Sequence, residues 1–312
     1  MSEIVLVIGY NAAGKTTHTK KYLDAGYFRI NRDEIGGKLK NLHEHAAKAL
    51  DEGKENLVLD NTYRDVASRK SIIDLAKSRG INIRCVWVKT SFEDAQFNAC
   101  QRMVRDTGKL LMPADFAMSK NPNHFPPAAL FSYRKDFEKP TKAEGFSEIE
   151  TVNFVRKYDS AYKNKALILD YDGTLRDSSG DMDYPVTPDE VVLLDNCKEK
   201  LQEYFDQGYL LLGVSNQSGV AKGVLTYDDA VACFERTNEL LGFDIEYHFC
   251  PHSVPPVKCY CRKPHAGLGA YLIEVHKLDP LQCIFVGDQT TDKTFAMRCG
   301  FQYQHPNSFF DR

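Results

Sequence analysis

Residues 4–17 read IVLVIGYNAAGKTT. Five consecutive apolar residues run into a glycine turn and then a Lys-Thr-Thr helix start. An unbroken apolar run of that length marks a strand buried on both faces, the kind found in parallel sheets covered by helices. Gly9 to Thr16 also satisfies G-x-x-x-x-G-K-[ST] at a strand-to-helix turn. There, inward-facing backbone N–H groups at a helix N-terminus cradle phosphates. Lys15 would reach the β- and γ-phosphates, and the Thr16 hydroxyl would hold Mg²⁺. Gly9, Asn11, Gly14, Lys15, Thr16 and Thr17 are therefore the ATP-binding candidates.

Working outward, short apolar runs alternate with helical patterns. Strands are expected at 4–9, 56–61 and 81–88, and helices at 15–23, 33–52, 65–78 and 92–104. The rhythm restarts with strands at 166–170, 209–215, 245–249 and 283–288, and helices at 188–206, 227–241, 266–277 and 291–299. Two such series imply two α/β domains, each with a largely parallel sheet flanked by helices. The expected division is 1–158, a polar linker 159–165, and 166–312. The Pro- and Asn-rich stretch 106–127 reads as a long loop, a lid or substrate platform, with a disordered excursion as the alternative.

The 312 residues, 43% hydrophobic and 27% charged, fit a globular protein with room for two cores. No 18-residue apolar run marks a membrane span, and the N-terminus lacks signal-peptide features. The expected location is cytoplasmic, or nuclear in a eukaryote, and not secreted, so the nine cysteines should be reduced thiols. Residues 1–160 hold 26 Lys and Arg against 21 Asp and Glu, the remainder 14 against 22. A basic first half is compatible with a polyanionic substrate.

A second motif answers the first. Residues 167–177 read LILDYDGTLRD, so Asp170-x-Asp172-Gly-Thr174 follows a strand. Ser215-Asn216-Gln217, Lys263 in CRKP, and Asp288 to Asp292 in GDQTTD follow in order. Each part suits phosphoaspartate chemistry. Asp170 would attack phosphorus, Asp172 would act as acid and then base, and Ser215 and Lys263 would bind phosphoryl oxygens. Asn216 and Arg262 would contact substrate. Asp170, Asp172 and Asp288 would hold Mg²⁺, with Asp292 in support. This set identifies a Rossmann-like haloacid-dehalogenase-type phosphatase without a large cap. Tyr171 could contact the leaving group or pack below the site. Cys250, His252, Cys259 and Cys261 form two close ligand pairs suited to a closed, structural Zn²⁺ site; a cysteine-rich loop without metal is the alternative.

The acceptor side of the first domain starts with Asp33, just past a second strand in GYFRINRDEIG; it could be a general base, a helix cap, or both. Asp60, ending a strand in LDNT, could serve Mg²⁺ or the acceptor. Arg102 and Arg105 could be lid residues that neutralise the transferring phosphoryl, or exposed helical arginines. NRD, LDNT, Ser68-Arg69 and SYRKDFEKPTKAEGFSEI (132–149) resemble the P-loop kinase domain of bifunctional polynucleotide 5′-kinase/3′-phosphatases, the eukaryotic ones above all. That resemblance covers nearly all of residues 1–156. It implies Asp33 as general base for a 5′-hydroxyl, with Arg32, Asn61 and Arg69 toward the acceptor. Where the eukaryotic lid has an arginine after Asn-Asn, this chain has Asn98-Ala-Cys100, which leaves Arg102 as the expected lid residue. CPHSVPPVKCYCRKP (250–264) resembles the zinc-bearing heptose-bisphosphate and histidinol-phosphate phosphatases instead.

Together these features imply an ATP- and Mg²⁺-dependent enzyme that phosphorylates 5′-hydroxyl ends and clears 3′-phosphate ends of DNA or RNA, with a ligase as a possible partner. A metabolite kinase fused to a sugar or histidinol phosphatase is the alternative. A nucleotide-dependent scaffold with relic sites is a third.

Overall fold

A computed structural model describes residues 2–312. They fold into two compact units: one runs up to Asn98 and includes Lys120–Arg156, the other joins Ala99–Ser119 to Lys157–Arg312. The expected division is 1–158 and 166–312; here residues 157–165 also fall in the second unit. Residues 99–119 pack with the second unit.

The first unit holds a five-stranded sheet of β1 (Glu3–Ile8), β2 (Phe28–Ile30), β3 (Asn56–Asp60), β4 (Asn82–Lys89) and β5 (Glu148–Asn153). Its order is β2-β3-β1-β4-β5, and every pairing is parallel. The period-2 alternation of strand side chains explains why β1 must be apolar throughout. Ile4, Leu6 and Ile8 enter one core with Leu57, Leu59 and Ile83, while Val5 and Val7 enter another with Val58, Val86 and Val88.

In the second unit β6 (Ala166–Leu169) is followed by the antiparallel pair β7 (Arg176–Ser178) and β8 (Val191–Leu193). Then come β9 (Leu210–Asn216), β10 (Glu246–Cys250), β11 (Ile284–Val286) and β12 (Gln302–Gln304). The main sheet runs β10-β9-β6-β11-β12, again all parallel. Central β6 therefore delivers Asp170 between the carboxyl ends of β9 and β11, where ligands of such sheets bind.

Two expected helices are broken. The one at 33–52 stops at Ile35, because Gly36 and Gly37 take φ of +84° and +80°; helix resumes at Leu42–Asp51. The one at 188–206 begins as a short turn at Pro188–Glu190 and then becomes β8, whose Val191-Val192-Leu193 pairs with β7. Helix starts only at Cys197, after Asn196 in the left-handed region at φ +61°. The 106–127 stretch contains a helix, Pro113–Met118.

Candidate active sites

The phosphate loop is built from strain that only its own sequence permits. Gly9 lies so close to β4 that a Cβ would stand 2.7 Å from the Val88 carbonyl oxygen, and Gly14 has φ +86°. Thr90 Oγ1 and Asn98 Nδ2 donate to the carbonyls of Ala13 (2.9 Å) and Ala12 (3.0 Å), fixing the loop from outside. In sequence Asn98 stands out only as a departure from the lid pattern; in the fold it braces the cradle. Lys15 Nζ folds back to the Gly9 and Tyr10 carbonyls at 3.1 and 2.6 Å. Asn11 is half-buried, and Thr16 and Thr17 are exposed at the start of helix Lys15–Asp24.

Thr16 Oγ1 lies 3.3 Å from Asp60 Oδ2, which joins the loop to the end of β3. Asp60 is 1% exposed, and a carboxylate so buried needs hydrogen-bond partners. Arg29 binds it bidentately (Nε 2.9 Å, a terminal nitrogen 2.7 Å), and Asn31 Nδ2 adds a bond at 2.9 Å. Arg29 carries no signal in the sequence beyond being a charge within a strand. Asp33 is not the helix cap: the Asn31 side chain accepts from the Asp33 N–H at 2.8 Å. The Asp33 carboxylate is left exposed and paired with Arg32 at 2.9 Å, while Asn61 Oδ1 accepts from the Arg32 N–H.

Arg69 corrects an expectation. It is fully buried, bound bidentately to Glu144 (2.7 and 3.1 Å), and also donates to the carbonyls of Tyr63 and Glu138. With four of its five N–H groups so engaged and no solvent exposure, the guanidinium pins the 138–144 segment. Tyr133, in the preceding helix Pro127–Asp136, packs against Tyr10 of the phosphate loop at 4.4 Å and stacks on Phe137 at 5.3 Å. The long string that carries the resemblance is thus mainly a buttress. Arg105 is also committed elsewhere: it binds Glu274, 3% exposed, at 2.9 Å, and Tyr162 donates to the same carboxylate at 2.7 Å. Arg102 belongs, like Arg105, to the segment packed with the second unit.

In the second unit the expected residues converge. Lys263 Nζ lies 2.9 Å from Asp170, 2.8 Å from Asp292 and 2.8 Å from the Val214 carbonyl. Burial pushes the Asp170 carboxyl up to about 7, against the opposing pull of Lys263. Burial also disfavours the charged Lys263, but the two carboxylates outweigh it and its pKa is raised. Asp170, Asp288 and Asp292 each bring an oxygen within 4.8 Å of the others, and Asp288 Oδ1 is buried with no hydrogen-bond partner. A buried, unpartnered acceptor among carboxylates fits an oxygen-seeking divalent cation. Gly173 makes room, since a Cβ there would stand 2.8 Å from Asp288.

Asp172 is held by two residues to which the sequence assigns no role. Arg176, 1% exposed, donates from Nε at 2.8 Å, and Gln217 Nε2 donates at 2.6 Å and also reaches Ser215 Oγ at 3.1 Å. Arg176 is braced by Thr237 and lies over Phe234 at 4.6 Å. Its only signal is a charge two residues after the Asp-x-Asp-Gly-Thr motif. Asn216 exchanges two bonds with the Lys263 backbone (3.0 and 3.1 Å), so it positions the lysine. Tyr171 packs below the site, fully buried and bonded to Asn238.

Cys250, His252, Cys259 and Cys261 form a tight group: Cys250 and Cys259 Sγ are 3.7 Å apart, and His252 Nδ1 lies 3.5 and 3.4 Å from Cys250 and Cys261. Ligands about 2.3 Å from one tetrahedral ion would stand roughly 3.8 Å apart, so the donor set fits a closed metal site. Arg262 follows directly and donates to the His252 carbonyl at 3.3 Å.

Residues 4–110 match a family model described as an AAA domain, and residues 165–310 one described as polynucleotide kinase 3 phosphatase. The D-glycero-beta-D-manno-heptose-1,7-bisphosphate 7-phosphatase of Haemophilus influenzae is 35% identical over 138 residues, 41% of this chain and 73% of its own length. Through its second half the chain belongs to this phosphatase family. A Thermoplasma volcanium protein described as a probable phosphatase of the same kind is 34% identical over 139 residues, 43% of this chain and 92% of its own length. A bifunctional polynucleotide phosphatase/kinase of Schizosaccharomyces pombe is 33% identical over 153 residues, 49% of this chain; the chain spans only 34% of that relative. The expected fold class is borne out: a P-loop kinase-type domain precedes a haloacid-dehalogenase-type phosphatase domain, each on a parallel sheet. Among the described residues no helix is long and apolar enough to cross a membrane.

Proposed function

We propose that this chain heals broken nucleic-acid ends, transferring the γ-phosphoryl of ATP to a 5′-hydroxyl in the first unit and hydrolysing a 3′-phosphate in the second. One observation carries the proposal: a site built to give phosphate and one built to take it share a chain that is similar to a bifunctional polynucleotide phosphatase/kinase.

In the kinase step the phosphate loop and Lys15 cradle the triphosphate, and Thr16 with Asp60 would hold Mg²⁺, which neutralises developing charge. The exposed Asp33 carboxylate, steadied by Arg32, takes the proton of the acceptor hydroxyl. Arg32 and Asn61 line the acceptor side; Arg102 remains the candidate lid residue.

In the phosphatase step Asp170 attacks phosphorus while Asp172, oriented by Arg176 and Gln217, protonates the departing alkoxide. Asp172 then takes a proton from the water that cleaves the aspartyl phosphate. Ser215 and Lys263 bind phosphoryl oxygens. Asp170 and Asp288, with Asp292 behind, would hold a Mg²⁺ that supplies positive charge for the transition state. A Zn²⁺ on Cys250, His252, Cys259 and Cys261 would be structural, fixing the loop that ends in Arg262 and Lys263.

The heptose-bisphosphate phosphatase relatives favour a second reading, in which the phosphatase acts on a small sugar phosphate. An oligonucleotide with 5′-hydroxyl and 3′-phosphate ends, incubated with labelled ATP and Mg²⁺, decides between them. The expected result is 5′ label and 3′-phosphate loss, with Lys15→Ala abolishing only the first and Asp170→Asn only the second. Label with an untouched 3′-phosphate, together with turnover of a sugar bisphosphate, would establish the second reading. A ligase would act on the product ends.

A further inference from the structure

A cavity of about 280 Å³ is walled by the loop that carries the Cys/His cluster and by the segment that follows it. Its volume is close to the lower end, ~300 Å³, of small-molecule sites. Lys263, which touches Asp170, lines it, as does Thr291, one residue before Asp292. Lys263 therefore links the cavity to the phosphatase site.

Its chemistry is divided. Val254, Val257 and Pro264 offer apolar surface, and Val254 is 49% exposed. Lys258, Arg262 and His265 add nitrogen donors around them. The remaining polar lining is Ser253, Thr291 and the buried Cys259. Among the described residues no Asp, Glu, Asn or Gln lines this cavity. A polyhydroxylated sugar needs acceptors as well as donors, because each hydroxyl it buries must find a partner. A nucleotide asks for what is here: an apolar wall for the base and cationic groups for the phosphate on the other side of the ribose.

We propose that this cavity seats the terminal nucleotide of the phosphatase substrate. The base rests on Val254, Val257 and Pro264, and the phosphate 5′ to the terminal sugar is held by Lys258, Arg262 and His265. The smallest substrate that fills it is a nucleoside 3′,5′-bisphosphate losing its 3′-phosphate. This deepens the end-healing reading and rests on it.

The test measures kcat/KM of the full chain, loaded with Mg²⁺ and Zn²⁺, for a nucleoside 3′,5′-bisphosphate, a nucleoside 3′-monophosphate, a sugar bisphosphate and p-nitrophenyl phosphate. The bisphosphate nucleotide should exceed both the monophosphate and the sugar by about tenfold or more, the effect of a charge-assisted contact. Lys258→Glu and Val257→Asp should each raise its KM and cut its selectivity over p-nitrophenyl phosphate about tenfold. A sugar bisphosphate turned over as well as the nucleotide would overturn the assignment, as would selectivity unmoved in both variants. The wild-type comparison needs no variant to fold. A 3′-phosphorylated oligonucleotide separates the two levels. If it is dephosphorylated while nucleotide selectivity is absent, only the cavity assignment falls; if it is inert while the sugar is hydrolysed, the end-healing reading falls too.

Discussion

Two buried arginines show why chemistry was legible residue by residue and support was not. Asp170, Asp172, Ser215, Lys263 and Asp288 stand in motifs whose residue types and order point to one chemistry, so their meeting at one sheet edge could be read from sequence. Arg69 and Arg176 look in sequence like any other arginines, because burial is a property of the fold. Arg69 with Glu144 is an ion pair at 0% and 6% side-chain exposure. Removing one partner of such a pair strands a buried charge, typically costing about 3–5 kcal/mol. Arg69→Ala should therefore lower the urea midpoint of the first unit sharply, and Arg69→Lys should not restore it, since an ammonium cannot reproduce the two-point contact. A variant with wild-type stability and a raised KM for the acceptor would return Arg69 to the acceptor site. Arg176 and Gln217 act on Asp172, so Gln217→Leu should lower phosphatase kcat by about tenfold to a thousandfold with KM little changed. A change confined to KM would show that Gln217 binds substrate.

At the scale of elements, central strands and motif-bearing turns were the readable part, because continuous apolar runs bounded by glycine admit one interpretation. The helix expected at 188–206 fails for a physical reason. Val191-Val192-Leu193 is compatible with either period, and its pairing with Arg176–Ser178 depends on a partner many residues away. The loop with the Cys/His cluster is the opposite case, since ligand identity and spacing speak for themselves. It has little regular structure between Cys250 and Gly267, so the metal would supply most of its order. Purified protein should contain about one Zn²⁺ per chain, four protein ligands being the usual structural site. A strong chelator should abolish phosphatase turnover without touching ATP-dependent labelling once Mg²⁺ is restored. Cys259→Ser should do the same, and a zinc-free preparation with full phosphatase activity would remove the metal from the account.

At the scale of the whole molecule, sequence similarity and packing disagree about residues 99–119. The AAA-domain match runs to residue 110, yet Ala99–Ser119 packs with Lys157–Arg312. No periodicity could reveal this, because Cys100, Met103 and Val104 are buried, and apolar spacing does not say which core they enter. The packing is specific where it can be followed. Arg105 binds the buried Glu274, Tyr162 donates to the same carboxylate, and the Phe116 ring meets Tyr260 edge-on at 6.1 Å. Tyr260 lies between two residues of the Cys/His cluster, so stabilising the phosphatase site should also stabilise 99–119. Ligands that bind only the folded form raise its stability by mass action, and the gain is distributed over the cooperative unit that holds the site. Hydrogen exchange of the full chain should therefore slow in 99–119 when Mg²⁺ and a phosphate mimic are added, in step with 166–310, while 120–156 stays unchanged. Adding ATP analogue instead should protect the phosphate loop and 120–156 first. Exchange in 99–119 that follows the nucleotide and ignores the phosphate mimic would place this segment with the kinase after all, and Arg102 with it.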